Sequence, residues 1–258
     1  MKKSLLKEYF SPWLLPLALL LAWWAATQWH WVATTVLPSP FAVGKAAVRL
    51  TESGELPRDL WDSLKRALLG LAIGGSIGFV LAFANGLSSW SNRLFDSSIQ
   101  MVRNVPHLAI IPLVILWFGV GESSKQFLII TGVFFPIYLN TLHGIRSLDP
   151  RLLEMGRVYG LSRWELFRQI ILPGVMPSIL IGLRFALGVM WLTLIIAETI
   201  ASDNGIGYMT MNAREFLQTD VVIVGILLYA LLGKLADLIA RGLEKYFLRW
   251  NPAYRSNE

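Results

Sequence analysis

Covalent or metal chemistry needs side chains that this sequence does not gather. Its 258 residues include no cysteine and three histidines, His30, His107 and His143, each standing alone. No disulfide framework, cysteine-based metal site or histidine cluster follows from that inventory. No Ser/His/Asp set offers a nucleophile. The nearest run to a phosphate-binding loop, Gly119-Val-Gly-Glu-Ser-Ser-Lys125, lacks the second glycine before the lysine. What remains is polar chemistry in apolar surroundings. Arg184 lies about ten residues into an apolar stretch, roughly 15 Å along a helix, and Glu198 lies near the end of the same stretch. Asn104, His107, Asn140 and His143 are uncharged polar groups at the edges of others. Ionisable groups in such places are costly and point to a substrate path or a helix pairing. An anionic substrate would give Arg184 a place on a path; snorkelling or helix pairing is the preferred reading. Glu198 would repel an anion, so it reads as a gate or a structural partner. One compact charged segment stands apart, EMGRVYGLSRWELFRQIILP, Glu154 to Pro173.

The elements that must carry these groups follow from composition. Hydrophobic residues make up 55% of the chain and charged ones 16%, where soluble domains run near a quarter charged. That deficit points to lipid, and eleven tryptophans suit bilayer interfaces. The net charge of +6 fits basic residues kept on the cytoplasmic side better than nucleic-acid binding. A spanning helix needs about 20 mostly apolar residues. Stretches 13–33, 68–87, 105–119, 127–145, 174–197 and 221–239 are the candidates, which predicts an all-α, polytopic protein of about six spans. The third is short and holds Pro106 and Pro112, so it crosses only by borrowing from 94–104 or as a broken helix. The start resembles a signal peptide, with Lys2, Lys3 and Lys7 before an apolar run. That run is too long and Trp-rich and has no small-residue cleavage site, so it reads as a retained span.

Arginines in short loops set the orientation. Arg93, Arg146, Arg151, Arg157, Arg163 and Arg168, and the tail's Arg241, Lys245, Arg249 and Arg255, put both termini and segment 146–173 in the cytoplasm. Segment 41–66 dissents, because it should lie outside yet carries Lys45, Arg49, Arg58, Lys65 and Arg66 beside four acids. The expected organisation is a tail and first span (1–33), an amphipathic connection (34–66), a core (67–250) and a cytoplasmic tail (251–258). In the second span Gly70, Gly74 and Gly78 form a small-residue stripe, read as packing within the chain in preference to a subunit contact.

The charged segment is a corner. Asp149-Pro150 suits a helix start, and Gly160 suits a left-handed stop. Ser162-Arg-Trp-Glu165 is a capping box opening a second helix to about Leu172, with Pro173 beginning the next span. Trp164, Phe167 and Ile171 share one side, with Leu166 and Ile170 close by. Such a pair either lies on lipid headgroups or docks a cytoplasmic partner.

At fixed spacing the segment reads Glu154, two residues of which one is small, three of any kind, Gly160, nine of any kind, then Ile170-Ile171-Leu172-Pro173. This resembles the signature, called the EAA loop, of permease subunits of bacterial ABC importers. Met155-Gly156 departs from the usual two alanines. The likeness continues through Asp62 to Gly70, Pro112 to Gly119, Phe134-Phe-Pro136 to Asn140-Thr141, and Ala197-Glu198 with Gly205-Ile-Gly-Tyr208. It covers roughly residues 57–250 and is nearest to the branch importing aliphatic sulfonates, taurine or nitrate.

The resemblance implies a type I importer permease in the bacterial inner membrane, paired with a second copy. It implies two cytoplasmic ATPase subunits, which hold the ATP and Mg, and a periplasmic substrate-binding protein. No cofactor in this chain, no enzymatic activity and no nucleic-acid partner are expected. Gly160, Ser162, Arg163, Trp164, Glu165, Leu166, Phe167 and Arg168 would form the coupling helix, Glu154 would help hold it, and Pro173 would tie it to the span. Asn104, His107, Asn140, Arg184 and Glu198 are the candidates for the path, and Pro136 would shape it. An ion-coupled transporter would instead need paired midplane carboxylates or an inverted repeat, and neither is present in the sequence.

Overall fold

The computed structural model describes residues 2–251. The expected tail beyond Asn251, with Arg255, and the side chains of Lys2, Lys3 and Lys7 lie outside the described residues. Among those described the secondary structure is helical: α1 (Lys2–Gln28), α2 (Pro40–Glu52), α3 (Glu55–Leu87), α4 (Ser89–Arg103), a 3₁₀ turn (His107–Ile110), α5 (Ile111–Phe118), α6 (Glu122–Arg146), α7 (Pro150–Val158), α8 (Arg163–Leu166), a π-type turn (Phe167–Ile171), α9 (Leu172–Ala201), α10 (Ile206–Glu215) and α11 (Thr219–Phe247). Four stretches are long and apolar enough to cross a membrane: 55–87, 122–146, 163–200 and 219–247. Residues 14–28 form a shorter apolar helix.

The slab α3–α6–α9 is the centre, with α6 packed between the other two. The glycine stripe makes this possible. A Cβ on Gly70 would sit 2.9 Å from Ile129 Cβ, one on Gly74 would overlap the Ile130 carbonyl oxygen, and one on Gly78 would meet the Phe134 carbonyl at 2.8 Å. The stripe therefore seats α6 within the same chain, and the backbones approach as small-residue stripes allow. Against α9, α11 adds Val221, Val224, Leu232 and Ala236 to the main core, while α2 covers its flank with Val43, Ala46 and Leu50.

Several expectations are corrected. The first span ends at Gln28 rather than Ala33, because the chain turns through His30, at φ 56°, and Trp23 Nε1 donates to the Pro38 carbonyl at 2.9 Å. The second begins at Glu55, after Gly54 at φ +76°. The boundary expected between 66 and 67 thus falls inside α3, and only α2 and the preceding loop remain of the separate connection. The third does not borrow from 94–104. A proline at 106 disfavours the helical region for Val105, α4 stops at Arg103, and α5 is eight residues long. Of the two forms expected for that stretch, the broken one is present. Segment 199–220 holds α10, which the sequence reading did not anticipate. The second helix of the charged corner does not stop near Leu172. It passes through the π-type turn into α9, making one continuous stretch, 163–200.

Candidate functional site

The charged corner assembles from local chemistry. The Asp149 side chain caps α7 by accepting from Arg151 N–H at 2.9 Å, with Pro150 at the first helical position. Gly160 stops the helix at φ +76°. Ser162 Oγ accepts from Glu165 N–H at 3.3 Å, and the Glu165 carboxylate accepts from Ser162 N–H at 2.8 Å, so the capping box closes in both directions. The π-type turn follows from Pro173. Its ring would clash with a carbonyl four residues back, and it has no N–H to give. The widened turn relieves this, and Leu172 N–H reaches back five residues to the Phe167 carbonyl.

Packing then fixes the corner to the slab. Phe167 stands edge-on to Phe83 of α3 at 5.2 Å and stacks on Trp164 at 5.7 Å. Ile171 and Val175 are buried with Phe83 and Ile145. The contact between α7 and the second helix runs through Gly156, where a Cβ would meet Leu166 Cδ1 at 2.6 Å and Ile170 Cδ1 at 2.7 Å. Glu154 makes no contact of this kind with that helix among the described residues. It is exposed and has no hydrogen bond or ion pair among the described residues. The position that must be small is therefore the departure from the alanine pair, Gly156. Arg163, Trp164, Glu165 and Arg168 face outward, while Leu166 and Phe167 are half-buried and Pro173 sits at the root of α9.

At the opposite end of α9, about 26 residues or roughly 40 Å away, lies a second polar centre that sequence reasoning missed. Arg66 Nη1 donates to Glu198 Oε1 at 2.8 Å and to the Asn204 carbonyl at 3.0 Å. Its Nη2 donates to Glu122 Oε1 at 2.6 Å and also, in a short contact, to Asn204 Oδ1. Glu198 is completely buried and also accepts from Ser63 Oγ at 2.7 Å and Gly207 N–H at 2.9 Å. Ser63 accepts from Ile206 N–H, Asp59 accepts from Gly205 N–H, and Lys125 Nζ donates to Glu122 at 2.8 Å. This hub ties α3, α6, α9 and α10 together. Glu198 is its central acceptor, the structural-partner half of its expectation. The dissenting charges of segment 41–66 held the available signal, since Arg66 and Asp59 are buried partners rather than loop charges.

The remaining candidates separate. Arg184 Nη2 pairs with Asp237 Oδ1 of α11 at 2.7 Å and its Nη1 lies 3.9 Å from Glu244 Oε1, while Arg241 pairs with the other Asp237 oxygen at 2.9 Å. That is the preferred helix-pairing role, although the network also borders a cavity of about 570 Å³ between α9 and α11. Asn140 donates to the Pro136 carbonyl at 2.8 Å, within α6. His143 stays near its own helix end, 3.5 Å from Ser147 Oγ. Asn104 and His107 meet at a different cavity, about 490 Å³, beside the α4–α5 break. It is walled by Gly132, Phe135 and Pro136 of α6 and by Val189, Leu192, Thr193 and Ile196 of α9.

Comparison with known proteins agrees with this layout. A family model described as the binding-protein-dependent transport system inner membrane component matches residues 74–248. The putative aliphatic sulfonates transport permease protein SsuC of Escherichia coli (strain K12) is 58% identical over 257 residues, covering 100% of this chain and 97% of that protein. Its namesake in Bacillus subtilis (strain 168) is 42% identical, covering 93% of this chain and 87% of that protein. The taurine transport system permease protein TauC of Escherichia coli (strain K12) is 36% identical, with 90% and 86% covered. Among solved structures, an inward-facing MetNI methionine ABC transporter superposes with a TM-score of 0.58 at 15% identity over 74% of this chain and 97% of its own. An amino acid ABC transporter superposes at 0.57 and 17% identity, over 76% and 97%. At such identities these two speak to the fold alone. With the matched region running from the second half of α3 to the end of α11, the chain belongs to the family of inner membrane components of binding-protein-dependent transport systems.

Proposed function

We propose that this chain is the permease subunit of an ATP-driven importer of small organic sulfonates, alkanesulfonate- or taurine-like. It pairs with a second copy and couples to two cytoplasmic ATPase subunits through segment 154–173. A periplasmic binding protein delivers substrate at the hub end, and both termini lie in the cytoplasm. ATP and Mg stay on the ATPases. The relatives named for aliphatic sulfonates and taurine support the cargo.

The observation that carries the coupling role is the corner's construction. Trp164 and Tyr159 are exposed at 67% and 79% on an element capped at both turns and continuous with α9. A force applied to Arg163–Leu166 is delivered to the slab because no loop intervenes to absorb it. A helix pair that only rested on headgroups would need no such rigidity.

Two variants test this. A Cβ at Gly160 meets nothing within 4 Å, so Gly160→Val acts through its left-handed backbone alone, at a cost of about 1–2 kcal/mol or more. Trp164→Glu alters the exposed tip, and within the fold it removes the stacking on Phe167. Both are expected to reduce ATPase copurification and ATP-driven uptake of ethanesulfonate by tenfold or more, on the order of a lost interface anchor. Full retention of complex and uptake in both variants would refute the coupling role. Uptake of nitrate but not of ethanesulfonate by the wild-type transporter would refute the cargo.

A further inference from the structure

We propose that the cavity beside the α4–α5 break is the seat of the transported sulfonate, with Arg103 holding the sulfonate group and the α6–α9 wall taking the alkyl body. This inference rests on the sulfonate reading above.

The charge pattern is selective. Among the described residues Arg103 is the one cation lining this cavity, and none of the lining residues described is an acid. Arg66 pairs with Glu122 and Glu198, Arg146 with Asp96, and Arg184 and Arg241 with Asp237. Arg103 has no ion pair or hydrogen bond from its side chain among the described residues. Carbonyls at the end of α4 favour a cation there, but they do not require it to border an apolar cavity. Beside it, the Asn104 amide is exposed and offers two more donors. His107 is committed elsewhere. Its Nε2 lies 2.9 Å from the Leu128 carbonyl, which only an N–H can satisfy, and 3.2 Å from Thr131 Oγ1. In the neutral ring Nδ1 then carries no proton, so the anion falls to Arg103 and Asn104.

The rest of the lining is the complement of a hydrocarbon. Leu128, Phe135, Val189, Leu192 and Ile196 supply apolar surface. Gly132 lets α6 and α9 close behind it, since a Cβ there would meet Thr193 Cγ2 at 2.8 Å. A cavity of about 490 Å³ is in the range of roughly 300–1,000 Å³ that holds small organic ligands. Nitrate, which has no carbon chain, would gain nothing from this wall. Each methylene of an alkanesulfonate buried against it is expected to tighten binding about fourfold.

The test is direct binding of methane-, ethane-, butane- and hexanesulfonate to the purified permease–ATPase complex, by calorimetry and without the binding protein. For the wild type, affinity should rise with chain length at about that slope. Arg103→Gln should weaken every member by about tenfold or more, and Arg103→Lys should restore most of it. Leu192 is 59% exposed, so Leu192→Trp can fill the cavity without disturbing the core. It should abolish the gain for hexanesulfonate while sparing methanesulfonate, a within-protein ratio that misfolding cannot mimic. Unchanged binding in Arg103→Gln, or a chain-length slope that Leu192→Trp leaves intact, overturns the proposal. Loss of anionic lipid from Arg103→Gln with sulfonate binding intact would assign Arg103 to a headgroup and overturns it as well. Uptake with the binding protein present separates the two levels. Sulfonate uptake by wild type with Arg103→Gln binding unchanged removes only this seat, whereas no sulfonate uptake by wild type removes the importer reading with it.

Discussion

Replacing Arg66 by Gln should be among the most damaging single changes outside the corner, and its loss should be less than additive with that of Glu198→Gln. The Arg66 side chain is 5% exposed and that of Glu198 is 0% exposed. Arg66 donates to Glu198 at 2.8 Å, to Glu122 at 2.6–3.1 Å and to the Asn204 carbonyl at 3.0 Å. Without it, Glu122 keeps Lys125, but Glu198 keeps only neutral donors: Ser63, Gly207 N–H and a distant Tyr229 hydroxyl at 3.4 Å. Breaking a buried pair from one side costs about 3–5 kcal/mol, because a desolvated charge is stranded. Glu198→Gln keeps shape and most acceptor capacity, so it should cost about 1.5–3 kcal/mol, the worth of hydrogen bonds to a charged group. In the double variant no carboxylate is stranded, so the loss should fall short of the sum by about 1–3 kcal/mol. Unfolding in mixed micelles of increasing denaturing-detergent content, followed by helical signal, measures all three. Additive losses, or an Arg66→Gln variant as stable as wild type, would refute the claim that Glu198 depends on Arg66.

The remaining expectations concern packing and pairing. Gly74→Val should separate α3 from α6 and cost more than about 2 kcal/mol by the same unfolding measurement, since its side chain would overlap the Ile130 carbonyl. Gly44→Val, at a helical site with nothing within 4 Å, should change stability by less than about 1 kcal/mol. Gly156→Leu should pry α7 from Leu166 and Ile170 and reduce ATPase copurification at least as much as Trp164→Glu, with the hub's stability unaltered. Arg184→Met should destabilise more than the double Arg184→Met/Asp237→Asn, because the single change leaves Asp237 with Arg241 alone inside an apolar helix.

What could be read from sequence was what is local. The corner's caps act over two or three residues, so Asp149, Gly160, Ser162 and Glu165 announced it before any packing was known. The glycine stripe and the prolines at 106 and 112 were equally legible, and the break they produce is real. The hub was not, because the bonds that join α3 to α9 and α10 link residues 132 to 146 positions apart, a range on which periodicity is silent. Its trace was a violation: basic residues on the side where few belong. Arg184's partner was hidden for a related reason. The apolar stretch of α11 was taken to its hydrophobic average, and Asp237 was passed over within it. A spacing pattern names positions without saying which atoms touch, and within this chain the contact between α7 and the second helix belongs to Gly156.

The unbroken passage from α8 through the π-type turn into α9 has a mechanical consequence. α9 is anchored at one end by Phe83, Ile145 and Ile171 and at the other by Arg66 and Ser63, and Pro177 lies inside it. On the proposed coupling role, a push on Trp164 would travel along this one helix toward the hub, with Pro177 the place along it where a bend can form. Outside the slab, the helical structure is broken from Arg103 to Ile111, a seam where such a motion could be absorbed.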